Sequence, residues 1–329
     1  MNEEEGSKDK GPKPSGEPGW ERSLLERLAF ASLDEQRKRR RWGLIKFFVV
    51  IGLVVTMFSL SALLRIDEYR SPARFDQFTA IVELEGIIMP DSEASADYVV
   101  TGLRNAFEAK GSIGVIVRAN SPGGSPVQSA YINDEIQRLR EKYPDKPVYA
   151  VITDVCASGC YYAVVAADKI YANPSSIVGS IGVLMNGFGF VDAMKKLGIE
   201  RRLLTAGEHK GILDPFSPVK PYDEAYAKRM LREIHKEFIE RVRSGRGEAL
   251  KEDKETFSGL FWTGMDAKKM GLIDDFGSAS YVAREIIGAE NLVDFTYRES
   301  FFDRFARRVG TSIGEMLATR MGSLAPQLR

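Results

Sequence analysis

The chain has 329 residues, room for one large or two small globular domains, and its 44% apolar and 10% aromatic content is enough for a substantial core. Its 46 basic residues balance 46 acidic ones, so no bulk field points to nucleic acid or to an acidic substrate. Two cysteines cannot build a disulfide framework and two histidines cannot build a usual zinc site, so no metal is expected.

Residues 1–19 are rich in Glu, Lys, Gly and Pro and read as disordered. Trp20, Leu24, Leu25, Leu28 and Phe30 then fall at loosely helical spacing, which suits a short helix on a membrane face or against a partner. The basic run Arg37, Lys38, Arg39, Arg40, Arg41 and Lys46 comes next. Phe47–Leu64 carries eighteen residues without a charge, long enough to span a bilayer as a helix. Basic flanks stay on the cytoplasmic side, so the N-terminus is expected inside and everything after residue 65 outside. A cleaved signal peptide is the rival reading, but the polar stretch of residues 1–46 is far longer than such peptides have. The expected organisation is a cytoplasmic segment (1–46), an anchor (47–64), a linker (65–77), one globular domain (78–298) and a C-terminal segment (299–329).

Within the domain, Thr79–Leu84, Ile113–Val117, Val148–Thr153, Lys169–Ala172 and Ile181–Met185 read as strands. Ala96–Ala109, Pro126–Lys142 and Pro221–Ser244 read as helices. Buried strands alternating with helices predict an α/β architecture with a sheet covered on both faces. At the end of the chain, Phe301–Arg320 has Phe301, Phe305, Val309, Ile313 and Met316 on one side and reads as an amphipathic helix.

Three places carry candidate chemistry. Val148–Ala157 leads a strand into Ser158-Gly159, where a helix N-terminus favours developing negative charge. Ser158 reads there as a nucleophile or as a plain helix cap. A nucleophilic serine needs a base. His235 sits among Arg232, Glu233, Lys236 and Glu237 on an expected solvated face, which leaves His209 or Lys210. A lysine base demands an apolar site, because an ordinary lysine with a pKa near 10.4 is only about 0.04% neutral at pH 7. The third place is Asn120-Ser-Pro-Gly-Gly after a strand, which is either a simple turn or a pair of backbone donors for an oxyanion. Cys156 and Cys160 read as small apolar fillers, with a bridge between them left open.

Asn120-Ser-Pro-Gly-Gly, Ala157-Ser-Gly with Tyr161-Tyr162, Ala166-Ala-Asp-Lys-Ile, Gly179-Ser-Ile-Gly-Val and Thr205-Ala-Gly-Glu-His-Lys together resemble the bacterial signal peptide peptidase family, SppA type, short form. Their order matches, with 52 residues from Ser158 to Lys210. Phe261-Trp-Thr-Gly-Met-Asp-Ala, Met270-Gly-Leu-Ile-Asp and Phe276-Gly extend the resemblance over about residues 78–290. It implies a ClpP/crotonase-like spiral of βαβ units preceded by one transmembrane helix. It implies a Ser/Lys dyad of Ser158 and Lys210, with Ser180 orienting the lysine and Gly123 or Gly124 supplying an oxyanion N–H. It further implies no cofactor, a ring- or dome-shaped homo-oligomer, and remnant signal peptides in the bacterial inner membrane as substrates, cleaved on the periplasmic side. The family usually has glycine where this chain has Cys160.

Two other readings compete with this one. A cysteine hydrolase would use Cys156 or Cys160 with His209 as base. A scaffold that binds peptides without cleaving them would not label at Ser158 with a serine-directed probe. An acyl-CoA enzyme of the crotonase type is a remote third, because an outward-facing domain has little access to coenzyme A.

Overall fold

The computed structural model describes residues 76–298 and, ahead of them, residues 30, 35, 38–56 and 59. Residues 1–73 and 74–329 form two separate units. Residues 1–19, most of the stretch from Trp20 to Phe30, most of the linker and the helix expected over residues 301–320 lie outside the described residues. In the first unit residues 38–56 are helical, covering the start of the expected span. Among the described residues no helix is long and apolar enough to cross a membrane, and the rest of 47–64, apart from Ser59, is not described.

The second unit is built on a mixed sheet. Strands β1 (Phe78–Glu85), β2 (Ser112–Ser121), β3 (Val148–Ala157), β4 (Lys169–Ala172), β5 (Ile177–Gly179), β6 (Phe261–Thr263), β7 (Asp275–Phe276) and β8 (Leu292–Asp294) run in the order β6-β5-β3-β2-β1-β8. β4 pairs with β3 and β7 beside that path. All pairs are parallel except β5 with β6. Alternation along the strands sends Val82, Leu84, Val117, Ala119, Ala150 and Ile152 to one face. There they pack against helices α1 (Ala96–Glu108) and α2 (Pro126–Lys142). Ile81, Ile116, Val151 and Tyr171 point to the other face and meet Val282 and Ala283. Those two lie where the short α7 (Ala279–Tyr281) runs into a π-helical turn, Val282–Ile287. A sheet covered on both faces is what its apolar strands require. Four shorter or later helices complete the unit: α3 (Gly159–Val164), α4 (Val191–Lys196), α5 (Pro221–Arg246) and α6 (Gly264–Lys269).

Most predicted strands and the long helices fall where the periodicity put them; the strand expected at Ile181–Met185 does not. β5 is Ile177–Gly179, and the backbone after Ile181 is irregular, with Leu184 and Met185 exposed. Ile181-Gly-Val-Leu-Met185, four apolar residues interrupted only by a glycine, carries no period, so neighbouring turn residues decide the register. β6, β7 and β8 have only two or three residues each, too few for a pattern to reveal.

One irregularity positions the site. β2 and β3 stay in register to Ala119↔Ile152 and resume at Ser121↔Cys156, so β3 carries extra residues in between. The bulge is held by Thr153 Oγ1 donating to the Ala119 carbonyl (3.3 Å) and by the Val155 N–H donating to Asn120 Oδ1 (3.3 Å). It moves β3 from its first neighbour, β4, to its second, β5. Bulges bend a strand and re-aim the residues beyond them. Here the strand beyond the bulge runs into Ser158.

Candidate active site

Helix α3 is short, and all six of its residues are buried. It is fixed from two sides. The Tyr161 hydroxyl donates to the Leu272 carbonyl (2.7 Å), and Asn133 of α2 donates to the Tyr162 carbonyl (2.8 Å). Burial pushes the Tyr161 hydroxyl up, so it stays a donor. A helix anchored this way has its N-terminus fixed in space, and Ser158 occupies the cap position there.

The cap is not made. Ser158 has φ 54° and ψ −123°, and its side chain forms no capping hydrogen bond. Its backbone is held instead: the N–H donates to the Gly179 carbonyl (2.8 Å), and the carbonyl accepts from the Tyr162 N–H (3.0 Å). A non-glycine residue in this region costs on the order of 1–3 kcal/mol and persists only when its surroundings impose it. The hydroxyl is left free for chemistry.

Ser121-Pro-Gly-Gly wraps against this elbow. A Cβ on Gly123 (φ 97°) would stand 2.6 Å from the Gly159 nitrogen and 2.7 Å from the Ala157 oxygen, so only glycine lets the turn approach. The two glycines are not equivalent. The Gly123 N–H donates to Ser121 Oγ (3.1 Å), whereas Gly124 lines the cavity in front of Ser158. A Cβ built on Gly159 would lie 3.1 Å from the Gly124 nitrogen, so the two glycines adjoin. Gly124 and Gly159, whose N–H is the first of α3, both line the cavity beside Ser158, where backbone donors could face an oxyanion. Gly123 acts by being small. The sequence reading missed Gly159, although it directly adjoins the expected nucleophile.

The cavity has a volume of 580 Å³ and is walled by Tyr162, Val183, Leu184, Ile234 and Phe238, with Ser158 and Ser180 on its rim. Ser180 repeats the geometry of Ser158 one strand away: φ 51°, at the end of β5, with Ala157 opposite Gly179 and its N–H donating to the Leu260 carbonyl (2.7 Å). The Tyr162 hydroxyl, pushed up to about 12 by burial and then by Glu237, donates to Glu237 Oε1 (3.1 Å). His235 also lines this cavity, with Nε2 3.0 Å from the Ile181 carbonyl oxygen. The sequence expectation of a solvated His235 is thus corrected. The α5 stripe is wider than its aliphatic residues alone suggest.

Lys210 is not part of this cavity. It lies exposed in the turns of residues 206–213, and the residues lining the cavity do not include it. His209 stacks on Tyr222 at 4.5 Å, with Nδ1 3.6 Å from Asp223 Oδ1. The surrounding segment exposes Leu184, Phe188, Leu197, Leu204 and Val219, and Leu204 is 96% exposed.

Cys156 and Cys160 are joined in a disulfide with Cα atoms 5.1 Å apart. They are not independent fillers, and neither is a free thiol. A cysteine hydrolase built on either is excluded in this state, because the nucleophile would have to be a thiolate. Among the described residues no group of three or more metal-ligating side chains occurs.

A mixed α/β sheet of mostly parallel strands fits a ClpP-like fold. The model of peptidase family S49 matches residues 140–292, just under half of the chain, and together with the relatives below it supports an S49 peptidase of the SppA type. It is 31% identical over 235 residues to Protease 4 of Haemophilus influenzae, covering 70% of this chain and 36% of that one. It is 31% identical over 192 residues to the chloroplastic serine protease SPPA of Arabidopsis thaliana, covering 58% and 28%. A protein of Brucella abortus named Na(+)/H(+) antiporter NhaA is 45% identical over 186 residues, 56% of this chain but 25% of that protein. The chain thus spans about a quarter to a third of the length of these relatives, and the name of a whole protein does not carry to a matched quarter.

Proposed function

We propose that the chain is a serine endopeptidase in which Ser158 is the nucleophile and Lys210 the general base, acting on signal peptides left in a membrane. The observation that carries this reading is the backbone of Ser158, held at φ 54° with its hydroxyl uncapped beside the Gly124 and Gly159 nitrogens. A plain helix cap needs none of that strain. The serine oxygen attacks the scissile carbonyl as the neutral amine takes its proton. The two N–H groups stabilise the tetrahedral oxyanion, and the amine returns the proton to the leaving nitrogen. Water then hydrolyses the acyl-enzyme by the same proton route. Ser180, at the cavity rim, orients the amine.

Since Lys210 stands outside the cavity within one chain, the dyad is completed by a second copy. The exposed apolar side chains around Lys210 are the surface that such an assembly would cover. In the first unit, Phe47, Phe48, Val50, Leu53 and Val54 are all exposed on one helical stretch, as suits the start of a lipid-facing anchor. With the basic run before it, this supports an inner-membrane protein whose peptidase domain is periplasmic. The apolar cavity wall suits apolar peptides.

The test uses the full chain in detergent with an apolar signal-peptide substrate. Ser158→Ala and Lys210→Ala should each be inactive, and Lys210→Arg as well, because a guanidinium does not act as a base near neutral pH. Full activity of a folded Lys210→Ala protein would falsify the dyad. A wild type that fails to label with a fluorophosphonate at Ser158 would favour a peptide-binding scaffold.

A further inference from the structure

We propose that the Cys156–Cys160 disulfide is a positioning device for Ser158, locking the backbone at the nucleophile so that turnover depends on the oxidation state of this pair. The inference rests on the reading of Ser158 as nucleophile.

The crosslink is placed where it can act on little else. Between the two cysteines stand only Ala157, Ser158 and Gly159, so the covalent ring is closed around the strained residue. Each end is held by a different element. Cys156 belongs to β3, paired with Ser121 of β2 and Val178 of β5. Cys160 belongs to α3, whose residues are all buried. Both cysteines are fully buried. The bridge therefore ties the end of a strand to the start of a helix across the single residue at which the chain turns.

Disulfides stabilise a fold mainly by shortening the loops of the unfolded chain, and the gain grows with loop length. A ring of so few residues lies at the low end of that scale. Global stability is a weak reason for this bridge, whereas local geometry is a strong one. The uncrosslinked backbone at Ser158 is held by two hydrogen bonds, from Ser158 N–H to Gly179 and from Tyr162 N–H to Ser158. With the bridge open, Ser158 can relax toward ordinary φ values. That rotates the hydroxyl and the adjacent Gly159 N–H away from one another. Both the attacking atom and an oxyanion donor are then misplaced, which lowers kcat more than substrate binding. Opening by dithiothreitol is a balanced exchange: its two thiols become a cyclic disulfide, and Cys156 and Cys160 take up the two protons and two electrons as thiols.

The experiment compares the oxidised full-length protein, the same protein reduced with dithiothreitol, and the Cys156→Ala/Cys160→Ala double variant. Thiol counting defines each state. The readouts are kcat and KM on an apolar peptide, the rate at which a fluorophosphonate acylates Ser158, and the melting temperature. Reduction should lower kcat and the acylation rate together by about tenfold with KM unchanged, and reoxidation by a small disulfide should restore both. The double variant should sit at the reduced level, still hydrolytic, and ignore dithiothreitol. If the bridge resists the reductant, the double variant decides; if that variant does not fold, the reduced wild type decides. Equal kcat and acylation rates with the bridge closed and absent, or a lowered melting temperature alone, would overturn the proposal. So would two free thiols in fully active protein. Cleavage that persists in Ser158→Ala would instead remove the reading of Ser158 as nucleophile.

Discussion

Ser158 and Lys210 are built by opposite means. The serine stands where a bulged parallel strand, a fully buried helix and a glycine turn converge, and its neighbours leave no room even for a methyl group on Gly123. The lysine rides on exposed turns within a segment that leaves Leu197, Leu204 and Val219 facing outward, and the earlier glycines of that segment, Gly187, Gly189 and Gly198, have open space around them. One half of the proposed dyad is complete inside a single chain; the other waits for something to cover it. On the proposed reading, an unassembled chain would carry a nucleophile without its base.

The division is broken most directly by complementation. Ser158→Ala and Lys210→Ala should each lose activity by about 10⁴-fold or more. Co-assembled, the two inactive variants should regain a measurable fraction, because some sites combine an intact serine with an intact lysine from another copy. No recovery in a verified mixed assembly would return the dyad to a single chain. Next in size is a pair of glycine substitutions. Gly124→Ala drives a Cβ onto the Ile88 carbonyl and should cost about 3 kcal/mol or more. Gly198→Ala, at φ 68° with nothing within 4 Å, should cost only about 1 kcal/mol. Urea unfolding reads both, and similar losses would show that the lysine segment is as tightly determined as the elbow.

Two smaller effects sharpen the contrast. Leu204→Ser should leave chain stability within about 0.5 kcal/mol yet reduce assembly and activity, measured by sedimentation beside peptide cleavage. On the elbow side, α2 is clamped through Glu135, which accepts from Arg104 Nε (2.7 Å) and from Arg138 Nη2 (2.6 Å). Burial alone would raise the Glu135 carboxyl, but the hydrogen bonds from Arg138 and Arg104 outweigh it and hold the pKa at about 2, below its ordinary 4.5. A pKa depressed by folding stabilises above the unfolded value and is lost as pH falls toward the folded one. Both arginines are half exposed, so the contribution is discounted to about 1–2 kcal/mol. Glu135→Gln should lower stability by that amount at pH 7, with the gap closing between about pH 4.5 and 2. A pH-independent gap would mean lost packing rather than lost charge.

Much of this site was legible before any coordinates. Ser158, Ser180 and Gly124, which the motifs grouped together, line one cavity, whereas Lys210, grouped with them by the same motifs, does not. What the pattern did not carry were features that depend on who faces whom. His235 looked solvated because four charged neighbours surround it in sequence, yet its ring reaches the Ile181 carbonyl. Gly123 and Gly124 were indistinguishable as letters, and only the bond from the Gly123 N–H to Ser121 separates their tasks.

The amino-acid order alone decided the parallel α/β layering, because runs of apolar strand residues must be buried on both faces, and it decided which serine leads from a strand into a helix. The three-dimensional packing decided the rest: the positive φ of Ser158, the closure of Cys156 on Cys160, and the exclusion of Lys210 from the cavity. Burial is dictated by composition along the chain. The crosslink joins residues only four apart, but the turn that brings them together, like the strain at Ser158, is imposed by distant partners such as Gly179 and Ser121, which meet it only once the sheet has brought the ends of β2, β3 and β5 together.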